Sequence, residues 1–262
     1  MVKFESLIEK LEGGKIEREE FDSCLGRISK NFDIQVDLEL LRFYGLPIVV
    51  DKEYAFFETT KTPYKDEIYC VVDIETNGNS PIKNQIIELG AIKYQNGNVI
   101  EKFDSFIYAE SVPPSISKLT NIYPNDLKDA PSLKKVLYDF KLFLGSSIFV
   151  AHNVNFDYGF ISKSLKTVDI DELLNRKLCT VELAKKTIKA PRHGLGFLRE
   201  MLNIKTGDHH RAYSDALSAA KVLDECFKFL PEEVITTEDL IKFSQTLNRK
   251  KKRRKDYREK SE

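Results

Sequence analysis

Asp73 and Glu75 stand two residues apart, after the apolar run Cys70 to Val72, in the stretch YCVVDIETNG at 69–78. Side chains alternate faces along a strand, so the two carboxylates share a face. Side by side at the end of a buried strand they repel each other. A hard divalent cation, Mg²⁺ or Mn²⁺, relieves that repulsion through oxygen ligands, which makes the pair a candidate start of a metal site. The triplet D-x-E is short and common, and taken alone it reads equally well as two solvated charges at a strand's end. Three later residues could join them. Asp157 closes the H-N-x-x-F-D run at 152–157, in the expected first turn of a helix, where a carboxylate is favoured by the helix dipole and serves equally as a cap. Asp215 stands near the start of a late helix and is open to the same capping reading, and His210 lies five residues before it in the preceding loop. A lone histidine is more often a surface residue or a satisfied hydrogen bonder than a base.

The elements that must position these groups follow from apolar spacing. Ile68 to Val72 leads into the first motif as a buried strand. QIIELGAIKY at 85–94 and the stretch 99–108 flank Asn96-Gly97, the pair favoured in a tight hairpin turn with positive φ at both central positions. These read as an antiparallel pair beside the first strand. Pro113-Pro114 interrupts the pattern. Leu133, Val136, Leu137, Phe140 and Leu144 then give an amphipathic helix ending at Gly145. Residues 147–151, SIFVA, form another short buried strand, followed by a helix through Phe160, Ile161 and Leu165. Short helices are expected over 179–186 and 195–202, and a longer one along Ala216, Ala219, Ala220, Leu223 and Phe227.

Before this comes a separate small unit. Phe4, Leu7, Ile8 and Leu11 have helical spacing, as do Phe21, Leu25 and Ile28, and Leu38, Leu40, Leu41 and Tyr44 suggest a third helix. A short hairpin, 48–50 with 54–57, follows. Three helices and a hairpin form a winged-helix-like pattern, but acidic residues oppose the lysines here, so a protein-docking or structural role is as well supported as DNA binding. Polar ETTKTPYKD at 58–66 fits a linker. The expected division is therefore 1–66 for the small unit and linker, 67–231 for the large domain, and 232–262 for a last helix and a basic tail.

Composition sets the outer bounds. Of 262 residues, 42% are hydrophobic and 31% charged, as in a soluble globular protein. The formal net charge of zero hides an uneven distribution: Arg249 to Glu262 holds nine Lys/Arg against three Asp/Glu, which leaves the remaining chain acidic by six. Cys24, Cys70, Cys179 and Cys226 are far apart with no C-x-x-C pair, so neither a zinc cluster nor a disulfide framework is suggested. The opening MVKFESLIEKLEGG lacks the apolar core of a signal peptide, and no apolar run approaches the roughly 18 residues of a membrane span, so a cytoplasmic protein with no membrane contact is expected.

The motifs are short singly, but their order is informative. D-x-E ending a first strand, H-N-x-x-F-D after a later strand and H-x4-D opening a late helix resemble the DEDDh family of 3′→5′ exonucleases, over Ile68 to about Leu230. IIELGAI, LTNIYPNDLKDAP and AHNVNFD are similar to that family as well. Within it the nearest likeness is to the proofreading epsilon subunit of bacterial DNA polymerase III. Asn77-Gly78, Asn121, Gly194 and Gly196 depart from common family residues, and none of these is among the five core positions.

The resemblance implies an α/β, ribonuclease-H-like exonuclease domain with a mixed five-stranded sheet flanked by helices. It implies two divalent cations, Mg²⁺ or Mn²⁺, held by Asp73, Glu75, Asp157 and Asp215, and no organic cofactor. By resemblance Asp73 bridges both ions, Glu75 and Asp215 hold the nucleophile-side ion, and Asp157 supports the site. His210 would take a proton from the attacking water, a task suited to an imidazole with an ordinary pKa of about 6.5. Thr76, Asn77, Gly78, Asn153 and Phe156 are candidates to hold the terminal nucleotide, although core packing is the more ordinary role for Phe156. The implied product is a nucleoside 5′-monophosphate, released from a single-stranded or frayed 3′ end of DNA, and the implied partner is the DNA polymerase III catalytic subunit. The same chemistry on RNA or in repair, and an adaptor that kept the fold without activity, are the alternatives. The intact carboxylate set and His210 oppose the adaptor reading.

Overall fold

The structure is a computed structural model that describes residues 2–28, 34–171, 173–207 and 210–245. The basic tail at 249–262 lies outside these residues, as does the end of the expected last helix, whose described part covers 237–245.

The large domain is built on one five-stranded mixed sheet. Its strands are β4 (Tyr69–Thr76), β5 (Ile86–Gln95), β6 (Asn98–Phe106), β7 (Ile148–Ala151) and β8 (Lys177–Cys179), in the order β6-β5-β4-β7-β8. β4, β5 and β6 are antiparallel neighbours, with the expected turn at Asn96 and Gly97, both at positive φ. β7 and β8 run parallel to β4 on its other side. Such parallel steps need crossover helices; after two short helices, α4 (Pro114–Thr120) and α5 (Pro124–Leu127), α6 (Leu133–Leu144) and α7 (Val154–Thr167) supply them. α6 ends at Gly145, as its apolar pattern predicts.

Alternation along β4 sorts its side chains between two cores. Cys70, Val72 and Ile74 join α6 and α7 on one face, with Phe140, Phe149 and Phe160. Tyr69 and Val71 join the other face, beneath α8 (Thr180–Thr187), α9 (Leu195–Met201) and α10 (Ala212–Phe227). Asp73 and Glu75 continue this second row past the end of the apolar core, half-buried between buried Val72, Ile74 and Thr76. α10 lies low on the sheet because it presents Ala212, Ala216, Ala219 and Ala220, all buried.

The amino-terminal unit has the three expected helices, α1 (Val2–Gly13), α2 (Arg18–Ile28) and α3 (Ile34–Phe43), and the expected hairpin, β2 (Ile48–Val50) with β3 (Tyr54–Phe57). A two-residue strand, β1 (Ile16–Glu17), adds to the free edge of β3. Its core of Leu7, Leu11, Phe21, Leu25, Leu41, Leu46, Ile48, Ala55 and Phe57 also takes in Leu174 of the large domain. The segment 58–66 is packed rather than loose: Thr59 and Tyr64 are buried, Tyr64 N donates to Ile235 O, and Thr237 N donates to Thr62 O. Arg176, only 7% exposed at its side chain, bonds Glu12 of α1 and Glu238 of the last helix, and Thr59 donates to the same Glu238. The small unit, the sheet domain and the last helix therefore meet at one buried charge cluster.

Candidate active site

Four carboxylates from three separated segments converge beyond the carboxyl end of β4. Asp73 and Glu75 come from the strand itself. Asp157 comes from the first turn of α7, which starts directly after β7, and Asp215 from the first turn of α10. Asp157 and Asp215 are each only 4% exposed. The backbone N–H of Ile74, the residue between Asp73 and Glu75, faces Asp157 closely enough to favour its charged form. His210 lies in the loop before α10, and one of its ring nitrogens, a Glu75 oxygen and an Asp215 oxygen all lie within 4.8 Å of one another. The five residues singled out by sequence thus meet at one place.

Close approach of α10 to the sheet depends on Gly90. Gly90 is the cross-strand partner of Asp73, and a Cβ there would fall 2.2 Å from the backbone N of Tyr213 and 2.4 Å from the carbonyl carbon of Ala212. Only a residue without a side chain lets the first turn of α10 lie flat on β5. A second anchor is Glu88, the cross-strand partner of Glu75 and 1% exposed. Its carboxylate accepts from Arg211 Nε and Nη2 at 3.1 and 2.9 Å and from Ala212 N at 3.1 Å. Glu88 therefore ties down the amino end of α10, one to four residues from His210 and Asp215. Glu88, within IIELGAI, is a site residue that the motifs do not mark; the available signal is a charged residue in an apolar strand, which the β4–β5 register sets directly opposite Glu75.

The electrostatics are those of crowded acids. Burial pushes the Asp73 carboxyl well above the usual range, and Asp157, Glu75, Asp215 and Glu88 add to it by repulsion. Burial pushes Glu75 up to about 8, with repulsion from Glu88, Asp215 and Asp157 next. Asp157 is raised by burial too, against the lowering effect of backbone N–H donors that include Ile74. Carboxyl groups that hold protons this tightly, with hard oxygen donors converging from three sides, fit divalent cations of the Mg²⁺ or Mn²⁺ kind. Arg211 offsets Glu88, and Arg199 donates to Asp215 at 2.8 Å.

The other histidine of the motifs is committed elsewhere. His152 bonds Thr180 Oγ1 and the His193 carbonyl, both at 2.9 Å, and burial lowers its pKa to about 4. It stays neutral and fixes the β7–α7 turn against α8. The candidate nucleotide-holding residues separate into two groups. Asn77 is spent on the turn after β4: its Oδ1 accepts from Gln85 N at 2.8 Å and its Nδ2 donates to Ser111 O at 3.3 Å. Gly78 is packed against the Asn84 side chain. Thr76 is buried at the strand end, where a bulge interrupts the β4–β5 register. Asn153 is exposed at the amino end of α7 in a left-handed conformation, φ 91°, and Phe156 is half-buried with its ring 5.8 Å from that of Phe160. Asn153 and Phe156 flank the turn that leads into Asp157, while Asn77 and Gly78 shape the turn after β4.

Known proteins resemble this chain in sequence and in fold. The family model described as "Exonuclease", RNase_T, matches residues 70–223. The DNA polymerase III PolC-type of Staphylococcus haemolyticus is 35% identical over 198 residues, covering 74% of this chain and 14% of that protein. Its counterpart in Staphylococcus aureus is 40% identical over 184 residues, covering 68% and 13%. The chain thus spans about a seventh of the length of the curated relatives it matches. Among solved structures, Exonuclease X in complex with 5′-overhanging duplex DNA aligns over 65% of this chain and 99% of that one, with a TM-score of 0.50 and 20% identity. Escherichia coli Exonuclease I with a dA16 oligonucleotide aligns over 64% and 42%, with a TM-score of 0.56 and 16% identity. At such identities the structural likeness speaks for the fold.

Proposed function

The chain belongs to the RNase_T exonuclease family, and on that premise we propose that it is a metal-dependent 3′→5′ exonuclease that trims the 3′ end of DNA in polymerase proofreading. The observation that carries this reading is the convergence of Asp73, Glu75, Asp157 and Asp215 with the His210 ring, whose nearest ring nitrogen lies within 4.8 Å of Glu75 and Asp215 oxygens. Phosphodiester hydrolysis needs a nucleophilic water, charge relief at the phosphoryl oxygens and help for the departing 3′ oxygen. Two divalent cations held by the four carboxylates would supply the charge relief and the polarisation of that bond. The chain's own part is to hold the carboxylates in place before substrate arrives, through the β4 backbone, the first turns of α7 and α10, and the Glu88–Arg211 anchor. His210 would accept a proton from the attacking water, since it faces the Glu75–Asp215 side of the cluster. The proton passes from the water to His210 as the water oxygen bonds phosphorus. The bond to the 3′ oxygen breaks and its electron pair goes to that oxygen, which takes a proton from solvent to become the new 3′-hydroxyl. A nucleoside 5′-monophosphate is released.

The PolC-type relatives support a role in replication with DNA as substrate, and a DNA polymerase III catalytic subunit is the partner we propose. The test is digestion of a primer-template with a mismatched 3′ nucleotide, beside an RNA of matched length, with Mg²⁺ and with a chelator. Mg²⁺-dependent loss of the mismatched nucleotide with RNA spared supports the reading. Preferential loss of RNA moves the protein to RNA processing, and no cleavage of either by the folded chain overturns the assignment.

A further inference from the structure

We propose that Arg199 is a positioning residue that locks the His210-bearing loop to Asp215, a role that rests on the exonuclease reading of the site. Arg199 stands in α9, away from every motif that marks the acid cluster. Its guanidinium makes two bonds of different kinds. Nη1 donates to Asp215 Oδ1 at 2.8 Å, and Nη2 donates to the carbonyl oxygen of Gly207 at 2.8 Å. The other Asp215 oxygen, Oδ2, accepts from the backbone N–H of His210 at 3.1 Å. One planar fork therefore holds both the carboxylate and the start of the segment that delivers the imidazole, and Asp215 holds the end of that segment.

Two backbone features show why such a clamp is needed. His210 adopts φ 60°, a left-handed conformation uncommon for a residue with a side chain, and it persists only where the surroundings fix it. Gly207, at φ 104°, lies against the first turn of α10, where a Cβ would meet Ser214 Oγ at 2.9 Å. The guanidinium is well placed to hold this geometry, because its side chain is only 12% exposed and that of Asp215 only 6%. A lysine would keep the charge and lose the fork, since an ammonium does not present two coplanar donors to separate acceptors. Arg199 also lines a hollow of about 520 Å³ with Gly196, Phe197, Glu200, Asn203 and Ile204.

The experiment compares the wild type with Arg199→Ala and Arg199→Lys in the full chain. Two readouts are taken: kcat and KM on a 3′-ended oligonucleotide with Mg²⁺, and amide exchange at His210 in metal-free protein. Loss of a group that orients a metal ligand typically costs about 10–100-fold, so Arg199→Ala should lose that much kcat with KM within about twofold. Its His210 amide should exchange at least about tenfold faster. Arg199→Lys should recover less than half of the loss on a logarithmic scale, and free guanidinium at sub-denaturing concentration should partly restore the alanine variant. Wild-type kcat and exchange in Arg199→Ala, or full recovery by lysine, would overturn the clamp. Should Arg199→Ala melt far below the wild type, Arg199→Gln decides the matter by the same readouts. A wild type with no nucleolytic activity would instead sink the exonuclease reading, while the exchange measurement still judges the Arg199 clamp.

Discussion

Crowding of acids at the end of β4 should make the metal-free protein lose stability as pH rises, and Glu75 contributes a share of the effect that one substitution isolates. Its carboxyl is raised from 4.5 to about 8, first by burial and then by Glu88, Asp215 and Asp157. A raised carboxyl binds its proton more tightly in the folded chain than in the unfolded one. The stabilisation is complete below the unfolded value and disappears as pH rises through about 8. Between about pH 6 and pH 8 the folded protein keeps a proton that the unfolded chain has released, which at 1.36 kcal/mol per pH unit is about 3 kcal/mol. Glu75 retains some contact with solvent, so about 2 kcal/mol is the expected net loss. For a chain of this size that corresponds to a fall of about 4–8 °C in melting temperature. The assay is thermal unfolding across this pH range in chelator, with Glu75→Gln measured alongside to subtract titrations elsewhere. The wild type should fall relative to the variant, and Mg²⁺ should restore it most at the alkaline end. Parallel pH profiles for the two proteins, or Mg²⁺ stabilising both equally, would refute the account of a strained acid cluster.

Further perturbations test separate parts of the account. Gly90→Ala should lift α10 off β5, costing about 3 kcal/mol by overpacking and about 100-fold in activity through displacement of Asp215; unchanged melting and activity would show that α10 yields without consequence. Arg176→Met leaves the 2%-exposed Glu238 carboxylate without its cation and should cost about 3–5 kcal/mol by denaturant unfolding, with most of it recovered by adding Glu238→Gln. Failure of the second substitution to recover stability would mean that packing, not the buried charge, holds the three segments together. His210→Gln should lower kcat by about 10²–10⁴-fold and remove the rise of rate with pH on the acid side of the profile, measured at saturating Mg²⁺. A retained acid limb would assign the base to another group.

Much of the site was legible because it depends on residue type and order. Alternation put Asp73 and Glu75 on one face, and helix-start positions put Asp157 and Asp215 where first turns point into the cluster. The same rule of local pattern gave the Asn96-Gly97 hairpin, α6 and its stop at Gly145. What escaped is non-local. Glu88 is charged within an apolar run, and its meaning appears only once the β4–β5 register sets it opposite Glu75 and beneath Ala212. Gly90 matters through a helix more than 120 residues later, and Arg199 through a bond across to α10. Asn77 sits beside the motif in sequence, and yet its side chain is consumed by Gln85 and Ser111. The segment 58–66 has a linker's composition, but Thr59 and Tyr64 are held by the last helix and its approach, which no local pattern near residue 60 announces. The two-residue β1 is too short for any periodicity to show.

The most direct test of the central claim is the fate of a mismatched 3′ nucleotide under wild-type protein and Asp73→Asn, each with Mg²⁺ and with chelator, the fold of both checked by melting. The wild type alone should release a nucleoside 5′-monophosphate, and only with Mg²⁺, while the variant stays folded and, free of metal, is at least as stable. Undiminished cleavage by folded Asp73→Asn, or equal cleavage in chelator, would contradict the claim.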